Sequence, residues 1–359
     1  MNSIPSNSQN QGSSSTLRIA HKIIELRPQN EAEAEAISKE YGLSLIASRI
    51  LSARGFKVGE ELKNFLNPSL KEGIPDPAEL KGLLDACVLI RDCWKAKDKV
   101  ALACDFDVDG LSGCAQLSHF LKTIGMECLV LVPDRFADGY GLNKGIVKEA
   151  AARKCRLLIS IDYGTSNKEE LEFAHELGLK TIVIDHHHIT RGDLPADVFI
   201  NPHQEGCGFA GKVLSAAGLI WFLLIGLKKA ISRASNLDVK EYLDLACLGT
   251  ICDMVPLVGA NRVIVSKGLE LLRNTQRVGL KALKEVSGIN NQVSCYDVGF
   301  ALGPRINAAG RIVHGSMVIE LLTTNDTQVA KKIAGDLNKL NVERQEVETS
   351  MKNKAVKLI

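Results

Sequence analysis

Short apolar runs alternate with amphipathic stretches through the middle of the chain, and several runs end on an acidic or imidazole side chain. Residues 100–104 run into Asp105-Phe-Asp107-Val-Asp109-Gly110. Residues 157–161 end on Asp162, and residues 181–184 end on Asp185-His186-His187-His188. Runs this short, placed between helical patterns, read as buried parallel strands. Further strands are predicted over 127–133 and 198–202. Helices are predicted over 111–124, 143–154 and 167–178. The alternation gives an α/β fold: a mostly parallel sheet with helices on both faces.

The flanks read differently. Residues 17–95 show helical spacing, with an amphipathic stretch over 44–53 that stops at Arg54-Gly55 and another over 79–94. Asn67-Pro68 and the Pro75 and Pro77 pair break the chain between them. Beyond Pro202 the pattern is helical over 212–229, 241–250, 263–273 and 279–286. From Thr327 onward apolar residues recur mostly at steps of three, four or seven, as one helix face requires. That helix would span roughly 45–50 Å at 1.5 Å per residue. It shows no stop signal, so it reads as the start of an interdomain connecting helix in a truncated protein. The expected organisation is a disordered tail over 1–16, a helical region over 17–95, an α/β domain over 96–327 and the connecting helix over 328–359.

Composition excludes some classes. At 359 residues, 45% hydrophobic and 24% charged, the chain resembles a soluble globular protein with a large core. It holds no run of eighteen apolar residues, so no membrane-spanning helix is expected. The polar N-terminus lacks the pattern of a signal peptide. Ten scattered cysteines without a C-x-x-C pair argue for a reducing, cytoplasmic setting, with Cys104 and Cys247 as small core residues. The net charge of +2 neither requires nor excludes a nucleic-acid partner.

The chemistry lies at the strand ends. In an open α/β sheet the carboxyl ends of the strands share one edge, where ligands bind. Asp105, Asp107, Asp109, Asp162, Asp185 and His186 would therefore meet in one crevice. Asp253, delivered by the 241–250 helix, would join them. So many carboxylates together require cations. D-x-D-x-D-G also opens an EF-hand loop, but the twelfth position is Gln116 where a bidentate Glu is needed. Carboxylates with one imidazole suit Mn²⁺ or Mg²⁺ better than zinc. Asp162 or Asp253 alone would read as a turn or capping residue. Gly303-Pro-Arg305-Ile-Asn307-Ala-Ala-Gly-Arg311 reads either as a solvated turn or as a phosphate-binding loop, since a guanidinium fork matches phosphate oxygens.

Together these motifs resemble the DHH phosphoesterase superfamily, and within it the RecJ-type single-strand DNA exonucleases. The resemblance runs from about Leu43 to the chain end. It rests on Arg54-Gly55 with Phe65-Leu-Asn-Pro68, DFDVDG (105–110), Asp138-Gly-Tyr-Gly141, IDYGTSN (161–167), DHH (185–187), GTICDMVPL (249–257), LGPRINAAGR (302–311), and Leu337-Asn338 with Asn341 and Arg344-Gln345. It implies two Mn²⁺ or Mg²⁺ ions held by Asp107, Asp109, Asp162, His186 and Asp253, with Asp162 shared between them. It makes Asp105 a supporting catalytic carboxylate and points His187 at substrate phosphate. Arg305, Asn307 and Arg311 would lie near the DNA backbone. The implied activity is 5′ to 3′ removal of nucleotides from single-stranded DNA in recombination and repair, with single-strand-binding protein and a RecQ-type helicase as partners. The glycine-rich second domain and OB-fold of such proteins do not follow here, which leaves strand grip and impaired activity as open questions. Related hydrolases of short RNA, cyclic dinucleotides or pyrophosphate are the alternative. A DNA-binding scaffold with a decayed site is disfavoured because every motif carboxylate is present.

Overall fold

The structure, a computed structural model, describes residues 16–19, 22–25, 28, 30–133, 139, 141–190, 192, 194–210, 212–290, 292–312 and 315–356, with the backbone alone at 16–19, 22–25, 311 and 312. Residues 1–15 of the expected tail, and Asp138 and Tyr140 of the DGYG motif, lie outside the described residues, while Thr16, the tail's last residue, opens a strand. The chain divides into two compact units, residues 1–69 and 70–359.

The first unit pairs β1 (Thr16–Ile19) with β2 (Lys22–Glu25) in antiparallel register, Leu17 opposite Ile24. This corrects the helical expectation for the start of this region. The β-branched Thr16, Ile19, Ile23 and Ile24 favour strands over helix. The rest is helical: α1 (Glu31–Tyr41), capped by the Asn30 side chain, α2 (Leu45–Ala53), capped by Ser44, and α3 (Glu60–Leu66). Ile37, Leu51, Phe56 and Leu62 form its core.

The second unit opens with α4 (Leu83–Ala96), whose Leu83, Ala86, Cys87, Ile90 and Cys93 are buried. These side chains join the main core of the sheet. The compact unit that carries the sheet therefore begins at residue 70, ahead of α4, where the sequence placed the boundary at 95/96. Next come β3 (Val100–Cys104), α5 (Val108–Thr123), β4 (Cys128–Leu131), α6 (Lys144–Ala152), β5 (Leu157–Ile161), α7 (Lys168–Glu176), β6 (Lys180–Ile184) and β7 (Val198–Ile200). The five strands lie in the order β4-β3-β5-β6-β7, every neighbouring pair parallel.

Side-chain alternation assigns the two faces. Val100, Leu102, Cys104, Leu157, Ile159, Ile161, Ile182 and Ile184 enter the larger core, which also takes residues of α4, α5 and the helices beyond β7. Ala101, Ala103, Leu158 and Val183 enter a smaller core with residues of α6 and α7. Helices thus cover both faces, as the sequence pattern required.

The larger layer continues through α8 (Ala216–Ala230), α9 (Leu243–Cys252), α10 (Gly259–Arg273), α11 (Val278–Val286), the single-turn α12 (Cys295–Asp297), a π turn (Val298–Leu302), α13 (Gly303–Ile312) and α14 (Ser316–Thr323). The last helix, α15 (Thr327–Val356), has 30 residues. Its first half buries Ala330, Ile333, Ala334, Leu337 and Asn341 in the layer with α11 and α13. Farther along, Val347, Met351 and Val356 are exposed. All ten cysteines are free thiols. Among the described residues no helix is long and apolar enough to cross a membrane.

Candidate metal centre

One residue past each of three strands, the ladder continues through an aspartate. The Asp105 amide donates to Ile161 O, the Asp162 amide to Ile184 O and the Asp185 amide to Ile200 O. Because β3, β5 and β6 are neighbours in register, these three residues line up along one sheet edge. Asp162 adopts φ of +68°, a left-handed conformation that side-chain-bearing residues seldom take outside constrained sites.

Asp107 caps α5: its Oδ1 accepts from the amides of Asp109 and Gly110 at 2.9 and 3.0 Å. Asp109 follows in the first turn and is buried. Its Oδ2 and Oδ1 accept from the Ala216 and Ala217 amides at 2.6 and 2.9 Å, so the N-terminus of α8 fixes this carboxylate. Gly249 of α9 makes the approach possible. A Cβ there would overlap Asp109 Oδ1 and lie 2.8 Å from Ser112 Oγ. α9 then ends on Asp253.

His186 Nε2 lies at the centre, 3.2 Å from Asp162 Oδ1 and 3.7 Å from oxygens of both Asp109 and Asp253. Three donor sets, each with one ligand atom per residue and all atoms within 4.8 Å, overlap here: Asp105, Asp107 and Asp162; Asp109, His186 and Asp253; Asp162, His186 and His187. Asp162 and His186 each belong to two of them.

The electrostatics match a cation site. Burial, reinforced by Asp253 and Asp107, pushes the Asp109 carboxyl well above the usual range, and the α8 amides only partly offset this. Burial and the charges of Asp109, Asp107 and Asp105 do the same to Asp162. Asp253 rises to about 6, through burial and then Asp107. Burial, followed by neighbouring His187, lowers His186 to about 4, which keeps its ring neutral as a ligand must be. Carboxylates that repel one another in a buried pocket gain most from a divalent cation.

Asp185 is the organiser that the sequence reading left without a role. Its Oδ1 accepts from the amides of His186 and His187 and pairs with His187 Nδ1 at 2.7 Å, while Oδ2 accepts from the Thr165 amide. Burial opposes its ionisation, yet the bonds from His187 and Thr165 prevail and hold it below the normal carboxylate range. The same bond raises His187, against the effect of burial. The His187 side chain remains 49% exposed.

Comparison with known proteins places this site in a family. Residues 99–250 match the DHH family, N-terminal domain. Across 348 residues the chain is 35% identical to the single-stranded-DNA-specific exonuclease RecJ of Dickeya dadantii (strain 3937), covering 94% of this chain and 59% of that protein. The structure of RecJ from Thermus thermophilus in complex with Mn²⁺ aligns with a TM-score of 0.78 and 30% identity, over 92% of this chain and 46% of the other. A crystal structure of exonuclease RecJ bound to manganese aligns with a TM-score of 0.71 and 33% identity, over 78% of this chain and 70% of that one. The chain belongs to the RecJ family. It spans little more than half the length of the Dickeya RecJ.

For a RecJ-family chain the expected ligands Asp107, Asp109, Asp162, His186 and Asp253 are all brought together, with Asp105 and His187 beside them. The EF-hand alternative fails, because a strand precedes DFDVDG. The 303–311 segment departs from expectation. It is helix α13, entered through the π turn, rather than a loop. Pro304 is tolerated in the first turn, and Gly310 provides close approach, since a Cβ there would lie 2.8 Å from Phe106 O. The Arg305 guanidinium is engaged by Asn338 Oδ1, Ala301 O and Val286 O, so the structure places it in the packing between α13 and its neighbours. Asn307 Oδ1 accepts from the Val108 amide at 3.1 Å and so braces the DFDVDG turn. The Arg311 side chain lies outside the described residues.

Proposed function

We propose that this chain is the catalytic part of a divalent-metal-dependent phosphodiesterase that removes nucleotides from the 5′ end of single-stranded DNA. The observation that carries the reading is the convergence of strand-end aspartates, His186 and Asp253 in overlapping donor sets, the ligand atoms of each set within 4.8 Å of one another. Membership of the RecJ family supports the substrate class, the repair and recombination setting and a cytoplasmic location. It also supports single-strand-binding protein and a RecQ-type helicase as partners. The exposed apolar residues late on α15 support its role as the start of a connecting helix.

Asp107, Asp109, Asp162, His186 and Asp253 would hold two Mn²⁺ or Mg²⁺ ions, and oxygen-rich donors with one neutral imidazole fit those ions. Two such ions supply Lewis acidity toward the phosphodiester and the attacking water. Asp109, anchored by the α8 amides, and Asp162, set by the sheet ladder, keep the donors in place without reorganisation. Asp185 orients His187 and favours its protonated form. His187 Nε2 then offers a proton to a non-bridging phosphate oxygen or to the departing oxygen. Asp105 sits with Asp107 and Asp162 as a supporting carboxylate.

The test is a time course of mononucleotide release from single strands labelled at either end, with Mn²⁺, with chelator, and with Asp107→Ala. Metal-dependent release from the 5′ label, abolished in the variant, is expected. Parallel assays on short RNA and pyrophosphate distinguish the related hydrolases. Near-normal rates for Asp107→Ala would defeat the assignment.

A further inference from the structure

Tyr296 and Phe300 lie one turn apart, on α12 and the π turn. Both are 70% exposed, which is unusual for two large aromatic residues side by side. Their rings stack on each other with centroids 4.8 Å apart and planes inclined by 27°. The backbone beneath them is firmly seated. Ser294 and Asp297 form a reciprocal capping box, while Val298 and Leu302 are buried.

This seat adjoins the metal centre by two routes. Cys252, the residue before Asp253, directs its Sγ to Val298 O at 3.9 Å. The π turn also runs without a break into α13, where Asn307 holds the Val108 amide of the DFDVDG turn. The flat aromatic surface is thus coupled rigidly to both the start of α5 and the end of α9.

We propose that Tyr296 and Phe300 form a stacking platform for an unpaired nucleobase of the strand whose phosphodiester occupies the metal centre. The proposal rests on the nuclease reading and adds the basis of its preference for single strands. A base offers its face to a protein ring only when it is free of its neighbours in a duplex. Stacking also tolerates every base, because each has a π face, which suits an enzyme that must advance along arbitrary sequence.

The experiment compares the unaltered chain, Tyr296→Ala/Phe300→Ala and the aromatic-retaining Tyr296→Phe/Phe300→Tyr in Mn²⁺. Substrates are an oligodeoxythymidine and an abasic strand of the same length. The alanine variant is expected to raise KM for the base-bearing strand roughly ten- to hundredfold, with kcat little changed. It should leave the abasic strand unaffected, and the aromatic-retaining variant should restore KM. Unchanged KM in the alanine variant overturns the proposal and marks the pair as a surface for another protein segment. Equal losses on both strands overturn it too, since they would reflect displaced metal ligands. If the unaltered chain binds Mn²⁺ but hydrolyses neither strand, the nuclease reading falls and the platform with it.

Discussion

Replacing Gly249 by alanine should damage the metal centre from behind without substituting any ligand. A Cβ at this position in α9 would overlap Asp109 Oδ1 and the Ala217 Cβ, and would lie 2.8 Å from Ser112 Oγ. None of these neighbours can yield freely. Asp109 is pinned by two amides of α8, and Ala217 belongs to that helix's first turn. Overpacking of this kind costs roughly 1–3 kcal/mol. The intrinsic gain of Gly→Ala in a helix offsets at most about 1 kcal/mol of it. A net destabilisation of about 1–2 kcal/mol is expected, with Mn²⁺ affinity lower by roughly ten- to hundredfold as Asp109 is displaced. Gly335→Ala is the matched control: a Cβ on that residue of α15 meets nothing within 4 Å, so the variant should be more stable by roughly 0.5–1 kcal/mol. Chemical denaturation and Mn²⁺ titration of both variants decide the matter. If Gly249→Ala proves as stable as Gly335→Ala and binds Mn²⁺ normally, the tight packing of α9 against Asp109 is not what positions this ligand.

Further outcomes follow from the same geometry. Asp109, Asp162 and Asp253 have folded-state pKa values above their unfolded ones, so the folded metal-free chain binds more protons than the unfolded chain. Stability should therefore fall as pH rises from about 4 through the folded values, with Asp253, whose pKa is about 6, contributing part of the loss. Thermal melts without metal should show this slope, Asp253→Asn should flatten it, and Mn²⁺ should restore more stability at high pH than at low; a flat metal-free profile would contradict the crowding. Asn307→Ala should cost roughly 1–3 kcal/mol, because it strips the side-chain acceptor from the amide of buried Val108, and an unchanged urea midpoint would reject that bracing role. Asp185→Asn should lower the pKa of His187 and depress kcat more than it raises KM; a histidine titration by NMR that is the same in both forms would show that Asp185 does not govern the imidazole.

The sheet was legible because its strands are short apolar runs ending on charge, a pattern with few other uses. The aspartates at positions 105 and 162, together with His186, could be placed on one edge because parallel strands must share it. Asp253 was weaker, since a helix end leaves its direction open, and only packing of α9 against α5 aims it. Segment 303–311 misled because Gly303, Pro304 and Gly310 read as breakers. Two of those residues instead serve close approach: a Cβ on Gly303 would lie 2.6 Å from Cys252 Sγ, and Gly310 abuts Phe106. The bond from Val108 to Asn307 spans 199 positions, and no local pattern announces it. Asp185 was visible in its motif, but its grip on three backbone amides and one imidazole is a property of the folded turn.

The account depends most on these oxygens and one ring nitrogen forming a cage for divalent ions. Calorimetric titration of the metal-free chain with Mn²⁺ near neutral pH, beside Asp162→Asn, measures this directly. Saturable binding of two ions is expected, with at least one lost in the variant because Asp162 contributes to two of the overlapping donor sets. No saturable binding by the unaltered chain, or identical isotherms for the two proteins, would contradict it.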